Sequence, residues 1–145
     1  MRRKIGKGAW TAAALALTLA VILPGSAWAG KKRVPESLPG ATVVDAERAK
    51  ALMEQKKILV VDARLESAYE EEHLPGAVNI PEPLMIVMRE ELPSDKNHPV
   101  LFYSRGSSCW RSYKASRRAV QWGYTQVYWF RGGIPEWKAK GYPTE

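Results

Sequence analysis

The stretch Pro-Val-Leu-Phe-Tyr-Ser-Arg-Gly-Ser-Ser-Cys at residues 99–109 contains the main elements of an α/β unit. Its first five residues are mainly apolar, which predicts a strand buried on both faces, as in a parallel sheet. The small and polar residues that follow predict a tight loop. A helix is predicted at 109–122, because Gly123 supplies the glycine that often stands just past a helix end. The stretch therefore indicates a strand, a loop and a helix in direct succession.

The rest of the chain alternates in the same way. The apolar run at 58–61 predicts a second strand buried on both faces, and further strands and helices are predicted. The strands are 41–44, 77–80 and 126–130, and the helices are 46–55, 66–72, 83–91 and 134–140. Strands joined through helices need crossover connections, which predicts a mainly parallel sheet with helices on both faces. Sites in such sheets lie beyond the carboxyl ends of the strands, here at 62–64, 104–108 and 131–133.

The charge of the chain is concentrated at its amino-terminal end. The 145 residues suit one domain, and the formal charge of +7 would fit a nucleic-acid-binding protein. However, Arg2, Arg3, Lys4 and Lys7 precede every acidic residue, and without residues 1–29 the chain has 18 basic and 15 acidic residues. This near balance argues against nucleic acid as a partner. No motif predicts a metal site or another cofactor.

Residues 1–29 have the three parts of a secretory signal peptide. A basic segment precedes an uncharged apolar run at 8–23, and a small-x-small pattern follows at 27–29. The apolar run is shorter than the roughly 20 residues that a spanning helix needs, which favours cleavage over an uncleaved anchor. We expect an exported, periplasmic protein that meets the membrane only in transit, with a linker at 30–38 and one domain at 39–145.

Cys109 is the one cysteine of the chain. An unpaired thiol in an oxidising compartment is buried and inert, paired with another molecule, or used in chemistry. Its place near the first turn of a helix favours a lowered thiol pKa, and the N–H groups of the preceding loop favour a bound anion. That loop consists of Arg105, Gly106, Ser107 and Ser108. An ordinary strand-to-helix turn with helix-capping serines fits the same residues equally well.

Five motifs in order resemble the rhodanese (sulfurtransferase) family, over about residues 38–142. They are Val-Val-Asp-Ala-Arg at 60–64, Tyr-Glu-Glu-Glu-His-Leu-Pro-Gly-Ala-Val-Asn-Ile-Pro at 69–81, the strand at 100–103 with its loop, Gly123-Tyr124 with Val127-Tyr128, and Gly-Gly-Ile-Pro-Glu-Trp at 132–137. The resemblance implies a single rhodanese fold, in which a five-stranded parallel sheet lies between helices. It also implies a nucleophilic cysteine directly after the fourth strand. A donor such as thiosulfate would convert that cysteine to a persulfide, and the loop backbone would cradle the outer sulfur.

At that nucleophile position this chain has Ser104. A serine oxygen cannot carry a sulfane sulfur as a cysteine does, and no adjacent base is evident to activate it. Some rhodaneses have a second loop cysteine followed by Trp-Arg-Ser, and the chain resembles them through Cys109-Trp110-Arg111-Ser112. Because Cys109 lies five positions after Ser104, we expect its sulfur to enter the cradle only if the loop is rearranged.

Three hypotheses follow from this departure. The sequence favours a weak or inactive module that binds a small sulfur-containing anion, such as thiosulfate, or a partner protein. The second hypothesis is a periplasmic sulfurtransferase in which Cys109 carries the sulfur. The third is a serine at 104 in place of a natural cysteine, the natural protein being an ordinary sulfurtransferase. A phosphatase is disfavoured, because phosphatases with a related loop need an arginine six residues after the cysteine, where this chain has Ala115.

Several charged residues have expected supporting roles. Asp62 and Arg64 are expected to brace the site through hydrogen bonds and an ion pair rather than to act in catalysis. Arg105 and Arg111 are candidates to attract an anionic donor. His73 precedes a Pro-Gly turn and is expected to be structural.

Overall fold

The computed structural model describes residues 32–145, so the predicted signal peptide lies outside the described residues. Its five strands are β1 (Ala41–Val44), β2 (Leu59–Asp62), β3 (Val78–Asn79), β4 (Val100–Tyr103) and β5 (Val127–Phe130). They form one sheet in the order β1-β5-β4-β2-β3, and every neighbouring pair is parallel. The four α-helices of this region are α1 (Ala46–Glu54), α2 (Glu66–Glu71), α3 (Trp110–Gln121) and α4 (Gly133–Ala139). The predicted five-stranded parallel sheet is confirmed.

Strand β4 occupies the middle of the sheet and is buried on both faces. Leu101 and Tyr103 pack in a cluster with residues of α1 and α4, whereas Val100 and Phe102 pack in a second cluster with residues of α3. Successive side chains of a strand point to opposite faces, so each apolar residue of β4 contributes to one of the two layers. This explains why a continuous apolar run, rather than an alternating one, marks the strand that leads into the loop.

The predicted helix at 83–91 is wrong. The structure has two 3₁₀ turns there, Glu82–Leu84 and Arg89–Glu91, and leaves Ile86 and Val87 largely exposed. No side chain caps the first turn, and β-branched residues lose rotamer freedom in a helix. A segment this short needs tertiary packing to stay helical, and too little of its apolar surface is buried to supply it.

The described part of the predicted linker packs on the domain. Val34 and Leu38 are buried against Trp129 of β5. The Arg131 guanidinium donates to the carbonyl oxygens of Pro35 (3.0 Å) and Val34 (3.4 Å), which fixes the segment beside the end of β5. In residues 32–145, no helix has the length and apolar character needed to span a membrane.

Candidate active site

The loop at residues 104–109 joins β4 to α3 at the carboxyl edge of the sheet. The N–H of Cys109 donates to the carbonyl oxygen of Gly106 at 3.0 Å, which closes a tight turn within the loop. Gly106 has a φ of +131°, a backbone conformation that favours glycine. The Ser104 carbonyl accepts the N–H of Ile134 at 3.1 Å, so the first residue of the loop is also tied to α4.

Gly133 lets α4 approach this loop closely. Its φ is +60°, and a Cβ built on it would stand 2.1 Å from the Ser104 carbonyl oxygen and 2.9 Å from the Gly106 nitrogen. Real Cβ atoms do not come that near to backbone atoms, and the backbone cannot move aside as a flexible side chain can. The loop therefore keeps its shape against α4 only with glycine at 133.

The thiol of Cys109 is surrounded by groups that favour its ionised form. Cys109 is the N-cap residue of α3 and is partly exposed. Burial acts to raise the pKa of the thiol, but hydrogen bonding from the N–H of Arg111, the hydroxyl of Ser104 and the N–H of Arg105 outweighs it, with a further contribution from the Arg111 charge, and the pKa is lowered. The Ser104 hydroxyl and the loop N–H groups thus lower the pKa of a thiol at the other end of the loop. The expectation that the loop must be rearranged before this sulfur enters the cradle stays a prediction.

A chain of buried polar side chains continues behind Ser104. The hydroxyl oxygens of Ser104 and Ser112 are 2.8 Å apart, and the Trp129 indole N–H donates to Ser112 Oγ at 3.0 Å. Ser104 and Trp129 are completely buried, and Ser112 is almost so. A serine hydroxyl donates one proton while it accepts others. The indole N–H can only donate, so Ser112 Oγ accepts from it. Ser112 Oγ also lies in hydrogen-bond contact with the Ser104 hydroxyl, so the three side chains form one buried network.

Asp62 and Arg64 form a buried ion pair beneath the loop. Arg64 Nη2 lies 2.6 Å from Asp62 Oδ2, and Arg64 Nε lies 3.0 Å from both carboxylate oxygens. The Tyr103 hydroxyl donates to Asp62 Oδ2 at 2.7 Å and accepts the N–H of Leu74 at 3.1 Å. Burial, and then the negative charge of Asp62, raise the pKa of Tyr103 well above its ordinary value, so the phenol stays protonated. The carboxylate is therefore fully satisfied by internal donors, as a bracing role requires.

Comparisons with known proteins agree with this architecture. Residues 45–140 match the Rhodanese-like domain family. The chain belongs to that family. A sulfurtransferase of Allochromatium vinosum is 32% identical over 101 residues, which cover 69% of this chain and 91% of that protein. A thiosulfate sulfurtransferase of Coxiella burnetii is 33% identical over 89 residues, covering 61% of this chain and 78% of its own length. The crystal structure of the BH2092 protein from Bacillus halodurans superposes with a TM-score of 0.63 at 26% identity, over 72% of this chain and 76% of the other.

The rhodanese-like domain brings only part of the predicted site together. The Ser104 hydroxyl and the N–H groups of Arg105 and Arg111 act together on the Cys109 thiol and lower its pKa. Gly106 is buried within the loop, whereas the side chains of Arg105, Ser107 and Ser108 are exposed. His73 lies apart from the loop, stacked on Tyr69 at 3.9 Å between ring centroids. Residues 32–145 contain no cluster of three or more side chains of the metal-binding types.

Sequence reasoning missed two residues of the rhodanese-like site. Ser112 enters the prediction only as part of the Cys-Trp-Arg-Ser motif, and no role is predicted for Trp129. A buried indole N–H needs an acceptor, and Ser112 lies on the first turns of the helix that begins after Cys109. The requirement of a buried indole for an acceptor could have pointed to Trp129. Its pairing with Ser112, however, depends on how α3 crosses β5, and the sequence pattern does not specify that crossing.

Proposed function

We propose that this rhodanese-like domain is a sulfurtransferase in which Cys109, rather than the residue at position 104, carries the sulfur. One observation supports the proposal above all: Cys109 is the N-cap residue of α3 and partly exposed, at a position where the N–H groups of Arg105 and Arg111 lower the pKa of its thiol. A thiolate, not a thiol, is the nucleophile in attack on sulfur. The curated relatives named above are sulfurtransferases, which makes sulfur transfer the reaction class to test.

The reaction would take place in two displacements at the outer sulfur atom. The Cys109 thiolate attacks the sulfane sulfur of thiosulfate, a sulfur–sulfur bond forms, and the bond to the sulfite group breaks, so that sulfite leaves with the electron pair. A nucleophilic acceptor, cyanide or a thiolate, then attacks the outer sulfur of the persulfide. The bond to Cys109 breaks and its electron pair returns to Cys109 as thiolate. Charge balances in both steps, and no external oxidant or reductant is needed.

Ser104 acts in this proposal as a hydrogen-bond donor. Its hydroxyl is oriented from behind by Ser112, which in turn accepts from the Trp129 indole. A donor held in place before ionisation stabilises the thiolate without having to be reorganised during the reaction. The N–H groups of Arg105 and Arg111 add two further donors. The Asp62–Arg64 pair holds the end of β2 under the loop and touches none of the reacting atoms in this scheme.

A second candidate function is a non-catalytic module that binds a small sulfur-containing anion or a partner protein with the same loop. The observation that favours it is the burial of Ser104 at the place where the family resemblance implies the nucleophile. The hydroxyl there is hydrogen-bonded to Ser112 and cannot carry sulfur. On this hypothesis Cys109 takes no part in catalysis, and a cysteine introduced at position 104 would create sulfurtransferase activity.

Thiosulfate-to-cyanide sulfur transfer distinguishes the two candidates. The wild type, Cys109→Ala, Ser104→Cys and the double variant Ser104→Cys/Cys109→Ala are compared, with Ser107→Ala as a control in an exposed part of the loop. The first candidate requires activity in the wild type that Cys109→Ala abolishes. An inactive wild type together with an active double variant would establish the second candidate. The double variant cannot form a disulfide between positions 104 and 109, so the result is independent of reductant.

We also propose that the protein is exported and that the domain acts in the periplasm after cleavage behind Ala29. The support is the basic, apolar and small-x-small pattern of the first 29 residues. In that compartment an unpaired Cys109 would meet oxidants. Because oxidants react with the thiolate, the loop groups that set the ionisation of Cys109 would also affect its oxidation.

A further inference from the structure

A cavity of about 830 Å³ lies beside the 104–109 loop. Its lining comprises residues 32–36 of the amino-terminal segment, Ser107, Ser108, Trp110 and Arg131, so the residues before and after Cys109 in the sequence line it, although Cys109 itself does not. Arg131 holds the segment through its hydrogen bonds to Val34 and Pro35. We refer to it as the basic cavity.

The basic cavity has an excess of positive charge. Lys32, Arg33 and Arg131 line it against a single carboxylate, Glu36. The ion pairs among the described residues involve none of these three cations. A ligand with negative charge would therefore meet cations whose charge is not already neutralised.

A smaller cavity of about 520 Å³, which Arg105 lines, is different in this respect. Arg64 there is paired with Asp62 at 2.6 Å, and Lys138 is paired with Glu72 at 2.9 Å. Glu71 adds a further negative charge to the lining. Of the two cavities, the basic cavity is the one whose charges favour an anion.

We propose that the basic cavity is the acceptor site for a small thiol that carries carboxylate groups. This inference rests on the proposed sulfur transfer through Cys109. The volume lies in the range of small-molecule sites and is larger than thiosulfate or cyanide requires. Trp110, held edge-on against Tyr113 at 5.4 Å, offers an apolar surface to the carbon skeleton of such a thiol. The thiolate of the acceptor attacks the outer sulfur of the Cys109 persulfide, and the electron pair of the broken bond returns to Cys109.

The first test measures charge selectivity at Cys109 without any sulfur transfer. Iodoacetate and iodoacetamide alkylate the same thiolate, but only iodoacetate is an anion, so the ratio of their rates reports the local charge. We expect Lys32→Gln/Arg33→Gln to lower this ratio about fivefold and Glu36→Gln to raise it. The matched control Lys56→Gln/Lys57→Gln removes two adjacent exposed cations just before β2, at the opposite edge of the sheet, and should leave the ratio unchanged. An unchanged ratio in the Lys32/Arg33 variant overturns the proposal.

The second test follows removal of sulfur from the Cys109 persulfide by three small thiols. Mercaptosuccinate carries two carboxylates, mercaptoethanol is neutral and cysteamine is a cation. In the Lys32→Gln/Arg33→Gln variant we expect about a tenfold loss with mercaptosuccinate, less than twofold with mercaptoethanol, and a gain with cysteamine. Equal losses with all three thiols overturn the acceptor site while sulfur transfer itself stands. Failure of thiosulfate to form a persulfide refutes the sulfur transfer, and the acceptor role falls with it.

Discussion

Replacing Ser104 by alanine removes one hydroxyl group from the surroundings of the Cys109 thiol and leaves the loop backbone unchanged. The Ser104 carbonyl, not its hydroxyl, accepts the Ile134 N–H, so the contact between the loop and α4 is kept. A hydrogen bond to a charged group contributes about 1.5–3 kcal/mol, and about 1.4 kcal/mol corresponds to a tenfold change in an ionisation constant. We therefore expect the pH midpoint for formation of the thiolate to rise by about 1–2 pH units in Ser104→Ala.

The assay is the rate of iodoacetamide alkylation of Cys109 as a function of pH, followed by mass spectrometry of the intact protein. Because the surroundings lower the pKa of Cys109, the wild-type midpoint should lie below the value of about 8.5 for a free thiol. Below both midpoints the thiolate fraction falls tenfold per pH unit, so Ser104→Ala should react at least about tenfold more slowly there.

Two further variants make this result specific. Ser107→Ala removes an exposed hydroxyl from the same loop, and its midpoint should equal that of the wild type. Ser112→Ala leaves the Ser104 hydroxyl in place but removes the group that orients it, so a smaller rise is expected. Equal midpoints for wild type and Ser104→Ala would refute the assignment of Ser104 as a donor to the thiolate, whatever the activity of the protein.

Three other predictions concern the framework and the export of the domain. Asp62→Asn should lower the free energy of unfolding by about 3–5 kcal/mol in urea, because it leaves Arg64 buried without its counter-ion, whereas the exposed Asp95→Asn should change it little. Gly133→Ala should be less stable than Gly141→Ala by about 1–3 kcal/mol, since both glycines have positive φ but only Gly133 faces backbone atoms; equal losses would contradict this packing argument. The exported protein should begin at Gly30, and an intact Met1 in its mass spectrum would contradict cleavage.

The central sheet could be predicted from the sequence because its signal is local. All four residues of β4 are buried, and its sequence Val-Leu-Phe-Tyr is an unbroken apolar run, as expected for a strand covered on both faces. The end of α3 was equally plain, since Gly123 adopts the positive φ that a glycine at a helix end supplies. The helix predicted at 83–91 is wrong because its formation depends on contacts that are not local. The sequence of this segment has helical spacing of its apolar residues, but the burial of those residues depends on which other elements of the fold pack against them.

In the candidate site, too, the local contacts could be predicted from the sequence and the long-range contacts could not. The ion pair of Asp62 and Arg64 is encoded within three consecutive residues and was anticipated, although its link to Tyr103 joins residues far apart in sequence. The effect of the Ser104 hydroxyl on the pKa of the Cys109 thiol joins residues five positions apart, and the sequence pattern does not specify it. The Cys109 N–H closes a turn on the Gly106 carbonyl oxygen, so residues 106–109 do not run straight on from the strand. Separation along the chain therefore does not by itself decide which groups of the loop act on the thiol.

That turn also bears on what a serine at position 104 means for activity. The Ser104 hydroxyl and the N–H groups of Arg105 and Arg111 all lower the pKa of the Cys109 thiol, so groups from both ends of the loop act on one sulfur atom. In the proposed function, the hydroxyl at the first loop position supplies a hydrogen-bond donor and the sulfur at the sixth position supplies the sulfur carrier. Identity at position 104 alone does not decide whether sulfur transfer is possible. The deciding property is whether the sulfur donor and the acceptor can reach the Cys109 thiolate. The basic cavity, which Ser108 and Trp110 line, is the place where the alkylation and persulfide experiments test this access.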